Sequence, residues 1–217
     1  MKTKITTLIG SCDSYSYLWK NFDILYTRYF EPDLDKVLVS ETKVFDNKSY
    51  KTITPGVMDW GARMLYALNT IETKYVYFLL EDFYFTSTVP TRLIEESLEI
   101  LESRNADKIL IDVVHRSYTV QNLNENNLFK FSNKSMYLNS VSPSIWNVEY
   151  FKNVLKPHYN PWQFELEGNK FTSSCNPDIL LYKQPTQYFL PLVRKGGKYR
   201  TNGWEELFKK EGLVDEK

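Results

Sequence analysis

Tyr75–Phe85 reads YVYFLLEDFYF, an apolar run that ends in two adjacent carboxylates, Glu81 and Asp82. Val76, Tyr77, Phe78, Leu79 and Leu80 are β-prone and uniformly apolar, the pattern of a strand buried on both faces. Such a strand can release Glu81 and Asp82 to water only at its carboxyl end. In open α/β sheets that edge is where ligands bind. Adjacent acids there are hard oxygen donors suited to a divalent cation bridging phosphate oxygens. A solvated acidic turn is the plain alternative.

Upstream, Lys4–Ile9 reads as a first strand that breaks at Gly10-Ser11. A helix follows over Tyr15–Phe30, with Leu18, Phe22, Leu25, Tyr26 and Tyr29 on one apolar face and Ser14 as its N-cap. Pro32 stops it, Lys36–Ser40 is a short buried strand, and Tyr50–Thr54 is a third strand ended by Pro55-Gly56. Asp59 caps a helix from about Trp60 to Ile71 that leads straight into the acidic strand. Downstream, Thr91–Arg104 is amphipathic through Leu93, Ile94, Leu98 and Leu101, and Lys108–Val113 is another buried strand. This alternation predicts a doubly wound α/β sheet flanked by helices, Rossmann-like in its N-terminal half. Beyond residue 114 the order is less regular. Leu128–Leu138 alternates loosely as strand, Asn147–Leu155 is a short helix, Asn160–Glu167 turns into another, and Trp204–Lys210 is a terminal amphipathic helix. Without repeats or low-complexity linkers, the 217 residues suit a single domain.

Composition narrows the function. Lys and Arg number 27 against 27 Asp and Glu. That balance disfavours broad binding to nucleic acid, which shows as a basic face. One local basic segment, Arg194, Lys195, Lys198 and Arg200, is either a solvated loop or a flexible lid for phosphate. Aromatic content of 16% fills cores and can also line sugar sites. Cys12 and Cys175 lack metal-ligand spacing and are expected as reduced thiols. MKTKITTLIG is too polar for a secretory leader and no run reaches the roughly 18 apolar residues of a membrane span, so a cytoplasmic location is expected. Neither a GxxxxGK[ST] loop nor a GxGxxG fingerprint is present, and neither histidine accompanies a nucleophile elbow.

Three stretches carry a resemblance: IGSCDSY (Ile9–Tyr15), DWGARMLYALNTIETKYVYFLLEDF (Asp59–Phe83) and NPWQFELEG (Asn160–Gly168). Together they resemble the GT-A fold of nucleotide-sugar glycosyltransferases, and in particular small bacterial transferases of polysaccharide-assembly clusters. The resemblance implies a nucleotide-binding half over about residues 1–114 and an acceptor-binding half over about 115–217. It implies inverting transfer of a sugar from a nucleotide-sugar to an acceptor hydroxyl, assisted by Mn²⁺ or Mg²⁺. A diphosphate leaving group gains negative charge as the glycosidic bond breaks, so a cation or fixed positive groups must stabilise it. The family's EDD-type motif is here EDF, with Phe83 third. Asp82 is therefore the favoured metal ligand, with Glu81 beside it on ribose or a bound water, and transfer without a metal is the alternative.

The remaining candidates each keep a structural alternative. Ser11 and Asp13 lie where the resemblance puts base and ribose, although Asp13 also suits a helix cap. Glu41 after the second strand is a similar donor candidate. Arg63 is either a surface arginine or a contact to base or phosphate, and Trp60 a stacking partner or a core anchor. At the end of the Lys108 strand, Asp112 is a candidate contact to the donor sugar, and His115 is either a metal or acceptor contact or a structural histidine. An inverting transferase needs a base near the acceptor hydroxyl. Glu165 is the candidate, with Glu167 behind it and Trp162 walling the acceptor pocket; Glu165 also suits an ordinary first turn of a helix. Two rival functions remain: a phage-type glycosyltransferase acting on nucleic acid bases, and a non-catalytic sugar- or nucleotide-binding module.

Overall fold

Four parallel strands begin one sheet: β1 (Ile5–Gly10), β2 (Lys36–Val39), β3 (Tyr50–Ile53) and β4 (Tyr75–Leu80). The computed structural model describes residues 1–111, 118–125, 127–194, 198–199 and 203–214. Asp112, His115, Lys195 and Arg200, and the side chains of Arg194 and Lys198, lie outside the described residues. After β4 come β5 (Phe83–Phe85), β6 (Lys108–Leu110), β7 (Val120–Glu125), β8 (Leu128–Phe131), β9 (Ser144–Asn147), β10 (Ile179–Tyr182) and β11 (Phe189–Pro191). The large sheet has nine strands in the order β3-β2-β1-β4-β9-β6-β10-β8-β7. β9 runs antiparallel between β4 and β6, so the sheet is mixed.

The expected doubly wound α/β architecture is present. Helices α1 (Trp19–Tyr29), α3 (Thr91–Arg104) and α6 (Trp204–Glu211) pack on one face, whereas α2 (Trp60–Thr70), α4 (Val148–Val154) and α5 (Pro161–Ser174) pack on the other. Alternation along β4 serves both cores. Tyr75, Tyr77 and Leu79 join the first, Val76 and Phe78 the second, and all are buried. Each such aromatic or aliphatic side chain contributes about 2 kcal/mol when fully buried.

Three differences from the sequence reading bear on the site. The helix expected over Tyr15–Phe30 opens with a 3-10 segment, Asp13–Leu18, before α1; its N-cap is Cys12, not Ser14, and makes no side-chain capping bond. Strand β9, SIWN, goes unannounced because its four residues are too few for a period and run straight into α4. It nonetheless feeds both faces, Ile145 into one core and Trp146 into the other. Phe83 does not continue the acidic turn. It begins β5, pairs with Pro191 and is buried in the first core. No helix among the described residues is long and apolar enough to cross a membrane.

Candidate active site

Strands β2 and β3 extend the sheet from one side of β1, and β4 lies on the other. At that reversal two neighbouring crossovers leave in opposite directions, and the carboxyl ends of β1 and β4 border a crevice. A cavity of about 450 Å³ occupies it. Its walls are Gly10, Ser11, Cys12 and Tyr15 after β1, Leu80 to Phe83 after β4, and Trp60 and Arg63 of α2. Tyr137, Val141 and Ser142 from the segment entering β9, Pro161, Trp162, Glu165 and Leu166 of α5, and Pro191 complete it. The cavity thus brings together Ser11, Arg63, Glu81, Asp82, Trp162 and Glu165, six of the residues singled out from sequence.

Glu81 is buried. Burial, with the neighbouring Asp82 charge adding to it, raises its pKa well above the usual carboxyl range, partly offset by hydrogen bonds that include Ser11. Asp82 is half-buried, and its backbone carbonyl accepts from the Leu192 N–H at 2.8 Å, which ties the acidic turn to the residue that follows β11. The Ser11 hydroxyl accepts from Trp19 Nε1 at 2.7 Å. Cys12 shares a 3.0 Å hydrogen bond with Ser14, and burial raises its thiol pKa.

Asp13 and Glu41 stand behind the cavity wall and do not line it. Asp13 accepts from Ser40 Oγ at 2.6 Å, Thr42 Oγ1 at 2.6 Å, and the backbone N–H groups of Thr42 and Lys43 at 3.0 Å each. Partial burial pushes its pKa up, but these donors outweigh it and hold the carboxyl well below the usual range. It joins the ends of β1 and β2 and caps no helix. Glu41 accepts from the Asp13 N–H and forms an ion pair with Arg63 at 2.6 Å. Arg63, buried, also donates to the Met58 carbonyl at 2.6 Å and the Ser11 carbonyl at 3.4 Å. The surface-arginine alternative therefore fails: Arg63 is a buried clamp between α2, β1 and the loop after β2.

On the opposite wall, α5 begins with a capping box in which Asn160 and Gln163 satisfy each other's backbone N–H groups, and Pro161 fits the first turn. This fixes the direction of the next residues. Trp162, 47% exposed, stands at the cavity mouth. Glu165, half-buried, accepts from the Val141 N–H at 2.9 Å. Glu167 is exposed and does not line the cavity, so the structure separates it from Glu165.

Sequence reasoning missed the segment before β9. Ser135, Asn139, Ser140 and Ser142 are buried there; Asn139 binds α5 at Phe164 and Thr172, and Ser142 lines the cavity. Its only sequence signal is the density of serine in SNKSMYLNSVSPS, which otherwise reads as an exposed loop. Charge in the cavity is lopsided. Glu81, Asp82 and Glu165 line it, while Arg63 is the one cation among the described lining residues and is already paired with Glu41. No three His, Cys, Asp or Glu side chains among the described residues converge to hold a metal by themselves.

No protein-family model and no curated protein matches the sequence. Solved structures do match the fold. S. aureus TarS residues 1–349 in complex with UDP-GlcNAc superposes with a TM-score of 0.61 at 13% identity, over 95% of this chain and 64% of that one. The same TarS fragment with UDP gives 0.53 at 14% identity, over 87% and 60%. A cytidylyltransferase from Leptospira borgpetersenii serovar Hardjo-bovis gives 0.53 at 12% identity, over 99% of this chain and 90% of that one. The chain thus spans less than two thirds of the TarS fragment. At these identities the likeness shows the fold alone, a mixed, Rossmann-like α/β sheet flanked by helices.

Proposed function

We propose that this protein is a nucleotide-sugar-dependent glycosyltransferase of GT-A type, working by inversion with Mn²⁺ or Mg²⁺. The observation that carries the reading is the cavity at the carboxyl ends of β1 and β4, with the Glu81–Asp82 pair on one wall and Trp162 and Glu165 on the other. TarS, a glycosyltransferase, supports it through a shared fold and a structure with UDP-GlcNAc.

The donor set fits a cation only with help from substrate. A nucleoside diphosphate brought into a cavity lined by three carboxylates meets repulsion, and Arg63 is already neutralised by Glu41. Asp82 would hold the metal, with Glu81 beside it, and phosphate oxygens and water would complete the shell. The ion would supply positive charge at the leaving diphosphate. Ser11 and the Arg63 clamp shape the nucleotide side of the pocket. Trp162 offers an aromatic face to the acceptor. Glu165 takes the proton from the acceptor hydroxyl as its oxygen bonds to the anomeric carbon; the bond from that carbon to the diphosphate breaks, and the nucleoside diphosphate leaves. Arg194, Lys195, Lys198 and Arg200 are proposed as a cationic lid.

The near-complete overlap with the cytidylyltransferase favours nucleotidyl transfer as a second reading. A thermal-shift panel separates them: UDP-, GDP-, CMP- and dTDP-sugars and CTP, each with and without Mn²⁺, on wild type and Asp82→Ala. Metal-dependent stabilisation by one nucleotide-sugar, lost in the variant, is the expected result. Stabilisation by CTP alone would replace the proposal with nucleotidyl transfer. Sugar-nucleotide binding with no donor consumption over days would leave a binding module.

A further inference from the structure

Lys108 has no place in the chemistry described so far. It begins β6, pairs in register with Trp146 of β9 and Ile179 of β10, and is fully buried. Burial in such a position drives its pKa well below the ordinary lysine value. A methionine or leucine would fill similar volume without that penalty. The ammonium nitrogen sits 4.0 Å from the centre of the Trp146 ring and donates to the carbonyls of Leu138 at 3.1 Å and Ser140 at 2.9 Å. The peptide that supplies the Ser140 carbonyl also supplies the Val141 N–H, which donates to Glu165 Oε1 at 2.9 Å. A trans peptide is planar and rigid, so fixing its carbonyl at one end fixes its N–H at the other. Hydrogen bonds arranged head to tail also polarise one another, which strengthens the Val141 donor.

We propose that Lys108 is a positioning residue for Glu165, acting through the Ser140–Val141 peptide to set the carboxylate against the acceptor side of the cavity. This rests on the glycosyltransferase reading for its catalytic consequence, but not for its structural one. The anchoring is local and redundant at only one end. Asn139 and Thr172 hold the neighbouring turn to α5 through a 2.9 Å bond, and Asn169 holds the Leu138 N–H at 2.6 Å. Lys108 donates to the Ser140 carbonyl from the other side of the peptide. Loss of the lysine therefore frees a peptide that donates to Glu165 and leaves its flanks in place.

The test is Lys108→Met, with Lys108→Gln carried alongside because its shorter amide keeps two N–H donors and covers the case in which the methionine variant does not fold. Amide hydrogen exchange at Val141 is expected to quicken by at least about tenfold, while amides of β1 and β4 keep wild-type protection. Donor affinity is expected to stay within about twofold and the kcat of transfer to fall by about tenfold or more, with glutamine between methionine and wild type. Unchanged exchange at Val141, or exchange that quickens equally throughout the sheet, overturns the proposal. So does a loss of donor affinity that matches the loss of rate. Should wild type transfer no sugar from any donor, the function is wrong, and the exchange measurement still decides whether Lys108 positions Glu165.

Discussion

Replacing Gly61 by alanine sets two opposed effects against each other. In a helix alanine is better than glycine by up to about 1 kcal/mol, so propensity alone makes Gly61→Ala stabilising. Packing says the reverse. Gly61 lies in the first turn of α2, and a Cβ there would fall 2.1 Å from the Lys156 carbonyl oxygen and 3.1 Å from that of Pro157. Ordinary contact begins at 3.4 Å, so helix and turn would have to part by roughly 1.3 Å. Both obstacles are backbone and cannot rotate away. The approach is also held by a 2.8 Å hydrogen bond from the Gly61 N–H to the Tyr159 carbonyl, which parting would weaken. Overpacking of this kind costs about 3 kcal/mol at its upper range and a lost backbone hydrogen bond about 1 kcal/mol. Set against the propensity gain, the net loss is about 3 kcal/mol. Urea unfolding at 25 °C followed by circular dichroism reads it directly. Because Trp60 and Arg63 ride on the same turn, nucleotide binding should weaken along with stability. A variant within about 0.5 kcal/mol of wild type would refute the close-packing argument.

Gly168→Ala should cost less, about 1 to 2 kcal/mol by the same assay, because its Cβ meets the Asn139 amide at 2.9 Å rather than backbone; a loss equal to that of Gly61→Ala would contradict this ordering. Glu81→Gln should change the pH dependence of stability. The folded protein holds the Glu81 proton above the ordinary carboxyl pKa of 4.5, whereas the unfolded chain releases it, so wild-type stability declines as pH rises through that window. The variant lacks this decline, and in EDTA its unfolding free energy should gain on wild type as pH rises above 4.5, by about 1.4 kcal/mol for each unit of upward shift; a constant difference would disprove it. Glu41→Ala should destabilise by about 2 to 3 kcal/mol in chemical denaturation, since it leaves a buried guanidinium whose acceptors among the described residues are two carbonyls. A neutral outcome would mean that water replaces the carboxylate.

Much of the first half was legible in order. β-prone stretches that break at Gly or Ser mark β1 and β2, an uninterrupted apolar run marks β4, and the 3.6-residue spacing of Leu93, Ile94, Leu98 and Leu101 marks α3, because local burial on two faces or one stripe leaves a local trace. The second half was harder for the opposite reason. Strand β9 is four residues long, and its place between β4 and β6 depends on two partners that both lie more than thirty residues earlier in the chain. Leu128–Leu138 likewise resolves into strand β8 only through Leu181 of β10 and the edge strand β7.

The sequence by itself determined that Glu81 and Asp82 stand at the end of a buried strand, since no other place on an apolar run can hold two adjacent carboxylates. It also marked Trp162 and Glu165 where Asn160–Glu167 turns into a helix. Only the tertiary structure decided that these two pairs share a cavity, that Asp13 and Glu41 serve as bracing behind its wall, and that Phe83 turns away into a second small sheet. It alone placed Lys108, a residue that reads from sequence as the polar start of a strand, at the buried end of a hydrogen-bond chain leading to Glu165. Local sequence records which side chains must leave water; which of them meet depends on strand order and crossover direction, and these are settled by packing across the whole sheet.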